Sequence, residues 1–517
     1  MTHEVRCRAP RLIPIAAFVT GFASIATEIS ASRLIAPYFG SSTFIWANLI
    51  GVTLLFLSLG YWLGGRLIDT RPDARLLYGL IAVAAVCLAL VIPISRPILR
   101  ASLDAFDDRN AGAFLGSLAA TLLLFAPSLL ALGMVAPAAI RLRMSSVEDA
   151  GKAAGSLYAI STAGSILGSF VPVIILLPEI GTRATFATIA AVMIIMSIVG
   201  FAAEGKPAIA IAIAGIFALA IGALILGSHG NLKPPYRGQL IAELESDNNY
   251  IQVLQDGDET LLALNDGHAV HSIYNPNRLE TGGPWDYFAL GPVLTGDTAP
   301  NRALIVGLAG GTAARQLHAA YPSITVDGIE IDRTIVDAGR KYFGLTDGVA
   351  NVRIADGRYA LETSDTKYDL VCLDAYRQPY VPFHLATVEY FQLVSQHLNP
   401  GGVVVVNAGR TDTDFRLVDA LSATISKAFP TVLVVDVDRY DNSMIYATND
   451  PVTPDQFAQR LRETSGIPLV QTVAGWALDH GNIRTASTSG TVFTDDKAPV
   501  EWIIDQIIFD EAVREEK

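Results

Sequence analysis

The chain has 517 residues, 51% of them hydrophobic, and a formal net charge of −13. That length allows two or three domains, and so apolar a composition argues against a wholly soluble protein. The negative charge argues against a nucleic-acid partner and is compatible with cationic ligands such as polyamines.

The apolar residues are gathered in the first part. Runs of membrane length are read at 12–32, 44–63, 76–95, 113–140, 153–177, 184–203 and 207–227, and none follows. The first run is long, lacks a small-residue cleavage site and precedes six more, so it is no signal peptide. Residues 1–227 are therefore expected to be a membrane domain of about seven helices, multi-pass in a cell membrane. If every span crosses, Arg6, Arg8, Arg11, Arg66, Arg71, Arg75, Arg141, Arg143, Lys152 and Lys206 share a side. Only Arg96, Arg100, Arg109 and Arg183 fall opposite, a ten-to-four bias for a cytoplasmic N-terminus. Seven crossings would then put the remainder outside. The run 113–140, with Pro127 and Pro137, is the one expected to be re-entrant or split, which would restore an even count. Glu28 and Arg33 lie in or at the end of the first run. They are functional candidates because charge in lipid is costly, or they snorkel at a helix end. Cys7, Cys87 and Cys372 make no disulfide framework.

Residues 228–238, with Pro234-Pro235, read as a linker. Residues 241–264 alternate polar and apolar around turns at Ser246-Asp247-Asn248-Asn249 and Asp256-Gly257-Asp258, which predicts a small antiparallel β domain over 239–298. From Asn301 strands alternate with helical segments, the pattern of a parallel α/β sheet, over 299–517 with a C-terminal extension. Within it 432–437 and 443–447 are expected as antiparallel edge strands.

The chemistry concentrates at strand ends. Ala303-Leu304-Ile305-Val306 is a buried strand, and Gly307-Leu308-Ala309-Gly310-Gly311-Thr312 opens a helix directly after it. Such a turn lets backbone approach a ligand and offers free helix-start N–H groups. Glu330 ends the next strand, 23 residues after Gly307, where a ribose diol is normally bound. Asp356-Gly357 and Asp374 end two further strands. Ligands of open α/β sheets lie outside the carboxyl ends of the strands, so the loop and the three acids describe one pocket. The alternative, a tight connection without a ligand, leaves the three acids unexplained.

This spacing resembles a class I AdoMet-type (Rossmann-like) fold more than a dinucleotide fold. From about residue 238 to 398 the chain resembles the spermidine synthase (polyamine aminopropyltransferase) family, with Leu385-Ala386-Thr387-Val388-Glu389-Tyr390-Phe391 adding to the match. It looks most like the branch in which a multi-span membrane domain precedes the synthase half. Glu28-Ile29-Ser30-Ala31-Ser32-Arg33-Leu34-Ile35-Ala36-Pro37-Tyr38-Phe39-Gly40 and Thr494-Asp495-Asp496-Lys497-Ala498-Pro499-Val500-Glu501 support that branch.

The resemblance implies transfer of an aminopropyl group from decarboxylated AdoMet, or use of AdoMet itself, to an amine such as putrescine. It implies cofactor binding by Gly307, Gly310, Gly311, Glu330, Asp356, Gly357 and Asp374, and catalysis by Asp374 with Tyr376. Asp286 falls where the family has a substrate-binding glutamate, and Asp266-Gly267 matches its preceding turn. Tyr380 and His384, on the loop after Asp374, would orient the amine or close a lid, or simply pack beside the prolines there. The expected partners are a polyamine, the lipid bilayer and a second copy of the chain, with the soluble half in the cytoplasm beside its cofactor. No Cys/His cluster has metal-ligand spacing, so no metal is expected.

Two positions depart from the family. Arg377 stands where it has an amine-activating carboxylate, and should repel a cation unless it turns to an acid such as Glu389. Gly310 stands where an aspartate holds the cofactor's decarboxylated tail, which weakens the preference for that form. Another AdoMet-dependent transferase, moving a methyl or aminocarboxypropyl group, is thus an alternative. A third reading is a transporter or sensor with a nucleoside- or polyamine-binding domain. Gly60-Tyr61-Trp62-Leu63-Gly64-Gly65-Arg66-Leu67-Ile68-Asp69 resembles the loop after the second helix of major-facilitator transporters, or is just a tight turn. Thr494-Asp495-Asp496 is expected to cap a helix over 500–509.

Overall fold

Residues 7–39, 43–105, 112–144, 146, 149–216, 232–246, 248–265, 269–297, 299–376, 380–437, 439–479 and 482–515 are described by a computed structural model, which divides into the units Met1–Pro234 and Pro235–Lys517.

In the first unit the apolar runs extend into longer helices: α1 (Leu12–Phe39), α2 (Thr43–Thr70), α3 (Ala74–Asp104), α4 (Gly112–Arg143), α5 (Ala150–Val171) and α6 (Leu177–Ala203). A π-helical turn, Pro172–Leu176, joins the last two. By length and composition the described residues hold five candidate membrane spans, of which Ala150–Ala203 contains two of the expected runs. The expectation that 113–140 is broken is corrected: α4 is one helix of 32 residues carrying both prolines, about 48 Å long and able to cross once. The break lies instead within α6, where Gly181 adopts φ +73°. The run 207–227 is described only as far as the short helix Pro207–Ile216.

Small residues set the packing. A Cβ on Gly21 of α1 would collide with Ser161 of α5, and one on Gly164 or Gly168 would collide with Phe18 or Phe22. Gly60 and Gly64 press α2 against Leu130 and Met134 of α4. Close backbone approach and buried hydrogen bonds hold these helices together. Asn48 donates to Phe114 O at 2.9 Å and to Ser117 Oγ at 3.0 Å, and Ser128 donates to Ala84 O at 3.0 Å. The segment Gly60 to Asp69 is thus the second half of α2 and not a loop.

The unit's entry and exit lie at opposite ends of α1. The Arg8 and Ala9 amides, just before α1, donate to Glu204 just after α6. At the other end Tyr38 Oη donates to Leu232 O at 3.0 Å and Lys233 Nζ to Pro37 O at 2.7 Å.

The second unit opens with an antiparallel sheet in the order β1 (Gln239–Glu245), β2 (Tyr250–Asp256), β3 (Glu259–Leu264), β4 (Val270–Tyr274). An eight-stranded sheet follows, built from β5 (Arg302–Val306), β6 (Thr325–Glu330), β7 (Asn351–Ile354), β8 (Tyr368–Leu373), β9 (Leu398–Gly409), β10 (Thr431–Asp436), β11 (Asn442–Thr448) and β12 (Ile483–Thr485). Its order is β12-β10-β11-β9-β8-β5-β6-β7, parallel from β9 through β7 and antiparallel on the other side. The fold is Rossmann-like, with strands such as β8 nearly fully buried because helices cover the sheet. The sequence places β10 and β11 at the edge, but the three-residue β12 pairs outside them.

Strand order reverses between β5 and β8, so the crevice for a ligand opens there. The small sheet is tied over this crevice by three sets of bonds. Thr312 Oγ1 exchanges 2.9 Å bonds with the Ile273 backbone, Gly310 N donates to Ser272 Oγ at 2.8 Å, and Asn249 and Ser246 both bond Asp332.

Candidate functional site

Asp374, Gly307, Glu330 and Asp356 follow or end β8, β5, β6 and β7, four neighbouring strands. Strands lie ~4.8 Å apart, so the row spans ~14 Å, the length of an extended nucleoside with a short tail. All four line one cavity of about 230 Å³. Leu264, Ile331, Ile335, Pro382 and Leu385 give it apolar walls.

Each acid is held differently. Glu330, 8% exposed, accepts from the Ala309 amide at 2.9 Å and the Asp332 amide at 3.1 Å. Burial pushes its pKa up to about 7, against the pull of those amides. Asp356 caps the helix Gly357–Glu362 through the Arg358 and Tyr359 amides, both at 3.0 Å, and meets His384 Nε2 at 2.8 Å. Burial would raise this carboxyl, but the two amides and His384 outweigh it and hold it below the usual value. Asp374 accepts from Asn407 Nδ2 at 2.7 Å and from the Trp285 indole. Asn442 donates in turn to Asn407 Oδ1 at 2.8 Å. Burial pushes Asp374 up to about 7 and the nearby Glu330 adds to this, although its carboxylate still borders the cavity.

The glycine loop differs from its expectation. Gly307 N and Leu308 N both donate to Ile329 O, Ala309 N to Glu330, Gly310 N to Ser272 and Gly311 N to Leu308 O. These amides are spoken for, so the loop is no phosphate cradle. It acts as a spacer: Gly307 has φ +87°, and a Cβ there would lie 2.5 Å from Asp374 O. That suits a nucleoside without phosphates. Gly310 and Gly311 sit behind the cavity wall. A Cβ on Gly310 would lie 2.9 Å from Ser272 Cβ and 3.1 Å from Phe343, so a side chain at that position would have to displace both neighbours.

Of the other predicted residues, Gly357, Tyr376 and His384 line the cavity. Tyr376, expected as a catalytic group, has its hydroxyl engaged by backbone. Its hydroxyl lies between Asn407 O at 2.9 Å and Gly409 N at 3.0 Å, and burial pushes its pKa up, so it braces the Asp374 loop. Asp286 is corrected as a substrate ligand. It is fully buried, accepts from Thr281, Gly282 and Gln316, and ties the turn before it to the helix Thr312–Ala320. Its neighbour Trp285 is the residue that reaches Asp374. Tyr380 turns away from the cavity to Asp505 at 2.5 Å. Asp495 is no helix cap: it takes both Arg358 nitrogens at 2.7 Å and Thr387 Oγ1 at 2.7 Å. Glu389 accepts from the Asp495 amide. Arg377, Asp266 and Gly267 lie outside the described residues. The sequence reasoning missed Asn248, Asn249 and His271, which the small sheet adds to the lining.

A model of the spermine/spermidine synthase domain matches residues 291–450. A probable polyamine aminopropyl transferase of Bifidobacterium longum is 36% identical to the chain over 294 residues, 53% of this chain and 65% of that protein. The polyamine aminopropyltransferase of Vibrio vulnificus is 34% identical over 134 residues, 25% of this chain and 44% of that protein. The chain thus spans less than two thirds of the length of each. A crystal structure of spermidine synthase from Thermotoga maritima aligns at 21% identity with a TM-score of 0.37, over 46% of this chain and 84% of that one.

The buried acids of the second unit make its stability depend on pH. Burial pushes Glu330 and Asp374 up to about 7 in the fold, well above the ordinary carboxylate range of about 4. Their raised values favour the protonated fold, so this contribution is complete below about pH 4 and lost as pH rises through about 7. For Glu330 the loss approaches about 3 kcal/mol. The ligand-free protein in detergent is expected to melt at lower temperature at pH 8 than at pH 5, and Glu330→Gln should flatten that slope. Calorimetric scans across this range check it.

Proposed function

We propose that the chain is a membrane-bound polyamine aminopropyltransferase, moving an aminopropyl group from decarboxylated AdoMet to an amine such as putrescine. The observation that carries this reading is the row of Asp374, Gly307, Glu330 and Asp356 around one cavity in a domain of synthase type. Glu330 would hold the ribose diol, the apolar walls beside Asp356 the adenine, and Asp374 the reacting end. The donor supplies a sulfonium whose departure as methylthioadenosine drives the transfer. Asp374 supplies negative charge where an incoming ammonium and the sulfonium meet, in a cleft that screens little. A neutral amine attacks the methylene beside sulfur, the carbon–sulfur bond breaks, and its electron pair stays on sulfur.

One observation favours a second reading. Gly310, packed against Ser272 and Phe343, carries no carboxylate to select the decarboxylated tail, so intact AdoMet and methyl or aminocarboxypropyl transfer compete. Incubating the purified chain separately with AdoMet and decarboxylated AdoMet, and weighing the nucleoside products, distinguishes them. Methylthioadenosine from the decarboxylated form alone supports aminopropyl transfer, whereas S-adenosylhomocysteine from AdoMet replaces it with methyl transfer.

The same reading places the helices in a bilayer and the synthase half in the cytoplasm, where its donor is made, with a second copy of the chain as partner. Entry and exit of the helical unit lie at opposite ends of α1, whose 28 residues rise about 42 Å. A cytoplasmic C-terminus then requires an outside N-terminus, against the ten-to-four basic bias. Reporters fused before Met1 and after Lys517 are expected on opposite sides, with the second active only as a cytoplasmic reporter. Both on one side would refute the crossing; an external C-terminal reporter would refute the cytoplasmic site.

A further inference from the structure

Asp356, Gly357, Pro382, His384 and Leu385 form the part of the cavity wall assigned to the adenine. They come from two segments, the helix Gly357–Glu362 with its cap and the stretch that follows β8. The two meet where His384 Nε2 lies 2.8 Å from Asp356 Oδ2. A single bond between partly exposed side chains contributes little by itself, so the spacing of the wall depends on what braces it from behind.

That brace is the C-terminal segment. Asp495, 137 residues beyond Arg358 in the chain, takes Arg358 Nη1 and Nη2 at 2.7 Å each. Arg358 also donates to His384 O at 3.4 Å and to Glu362 at 3.1 Å. The same Asp495 carboxylate accepts from Thr387 Oγ1 at 2.7 Å, its amide donates to Glu389 at 3.0 Å, and Val388 N donates to Phe493 O at 2.9 Å. Arg358 follows Gly357, while Thr387 follows Ala386 just after Leu385, so one carboxylate joins both segments of the wall. At the other end of the stretch Tyr380 Oη donates at 2.5 Å to Asp505, in the helix Val500–Glu515. Neither Asp495 nor Asp505 is among the residues that line the cavity.

Exposed ion pairs usually contribute little, because flexible side chains lose entropy and water screens the charge. This one differs in geometry. Two parallel bonds between guanidinium and carboxylate fix direction as well as distance. Arg358 is also only 22% exposed and is held at once by Glu362 and the His384 carbonyl.

We propose that Asp495 and Asp505 are positioning residues that set the adenine-facing wall, so that the C-terminal segment governs how tightly the nucleoside is held. The inference rests on the nucleoside end of the aminopropyltransferase reading and adds to it residues outside the cavity. Without the Asp495 carboxylate, Arg358 keeps Glu362 but loses its link to Thr387, and the stretch carrying His384 and Leu385 is free to part from Asp356. Loss of the Asp505 carboxylate releases the other end of that stretch. The reacting end keeps its own supports, because Asp374 is fixed by Asn407 and Trp285.

The test uses the full chain in detergent, with methylthioadenosine calorimetry beside kinetics on decarboxylated AdoMet and putrescine. Asp495→Asn is expected to weaken methylthioadenosine and to raise KM for the donor about tenfold, with kcat within about threefold of the wild type. Asp505→Asn should show the same pattern at about threefold. Arg358→Gln should match Asp495→Asn, and the double variant should be no worse than either, because both changes remove one contact. Wild-type affinity in the Asp495 and Asp505 variants overturns the positioning role and leaves the transferase reading standing. Equal losses in kcat and affinity, or additive losses in the double variant, also overturn it, since they mark a general loss of structure. An affinity that responds to D495N in a chain transferring no aminopropyl group keeps the positioning role and refutes the transferase reading alone.

Discussion

Asp374→Asn is expected to lower turnover by about 10²–10³-fold while methylthioadenosine still binds within a few-fold of the wild type. The change keeps the shape and removes the charge. The side chain stands at the switch point of the sheet, fixed by Asn407 and Trp285, with Asn442 fixing Asn407 in turn. An amide in that place still fills the space beside Gly307 but no longer attracts the ammonium or the sulfonium. Methylthioadenosine is neutral at sulfur, so its affinity reports the nucleoside part of the site and separates binding from reaction. Steady-state kinetics beside calorimetry checks both halves of this expectation. Wild-type turnover in the variant would remove Asp374 from the chemistry.

Glu330→Ala is expected to weaken methylthioadenosine binding at least tenfold, about 1.4 kcal/mol or more. Two losses combine. The ribose loses its carboxylate partner, and the Ala309 and Asp332 amides lose their acceptor, so the loop that brings Gly307 to the cavity slackens. Glu330→Gln keeps an acceptor for one of those amides and should fall between the two. Unchanged affinity in Glu330→Ala, measured by calorimetry, would place the ribose elsewhere.

The parts of the site that were legible in the sequence were those fixed by strand ends. Gly307, Glu330, Asp356 and Asp374 each follow or close an apolar strand, and a parallel sheet must bring such ends to one edge. What tertiary packing decides was not legible. Asp286 and Trp285 are adjacent, yet the acid turned into the core and the indole reached Asp374, a choice of side-chain direction that local pattern does not encode. His271 was missed because alternation alone gives no sign of a bulge in β4. The glycine loop is legible in the sequence, but only the fold shows Ile329, Glu330 and Ser272 taking its N–H groups. In the helical unit the apolar runs marked where helices lie, while Pro127 and Pro137 misled. Proline within a long packed helix need not break it, and the positive φ of Gly181 did.

The central claim is that this cavity transfers the aminopropyl carbons of a sulfonium nucleoside to an amine. It is tested most directly by decarboxylated AdoMet labelled separately in its aminopropyl chain and in its S-methyl group, supplied with putrescine to the purified chain. The account predicts that the aminopropyl label moves into the polyamine product and the methyl label stays in methylthioadenosine. A methyl label found on the acceptor, or both labels left in the intact nucleoside while that nucleoside is bound, would contradict it.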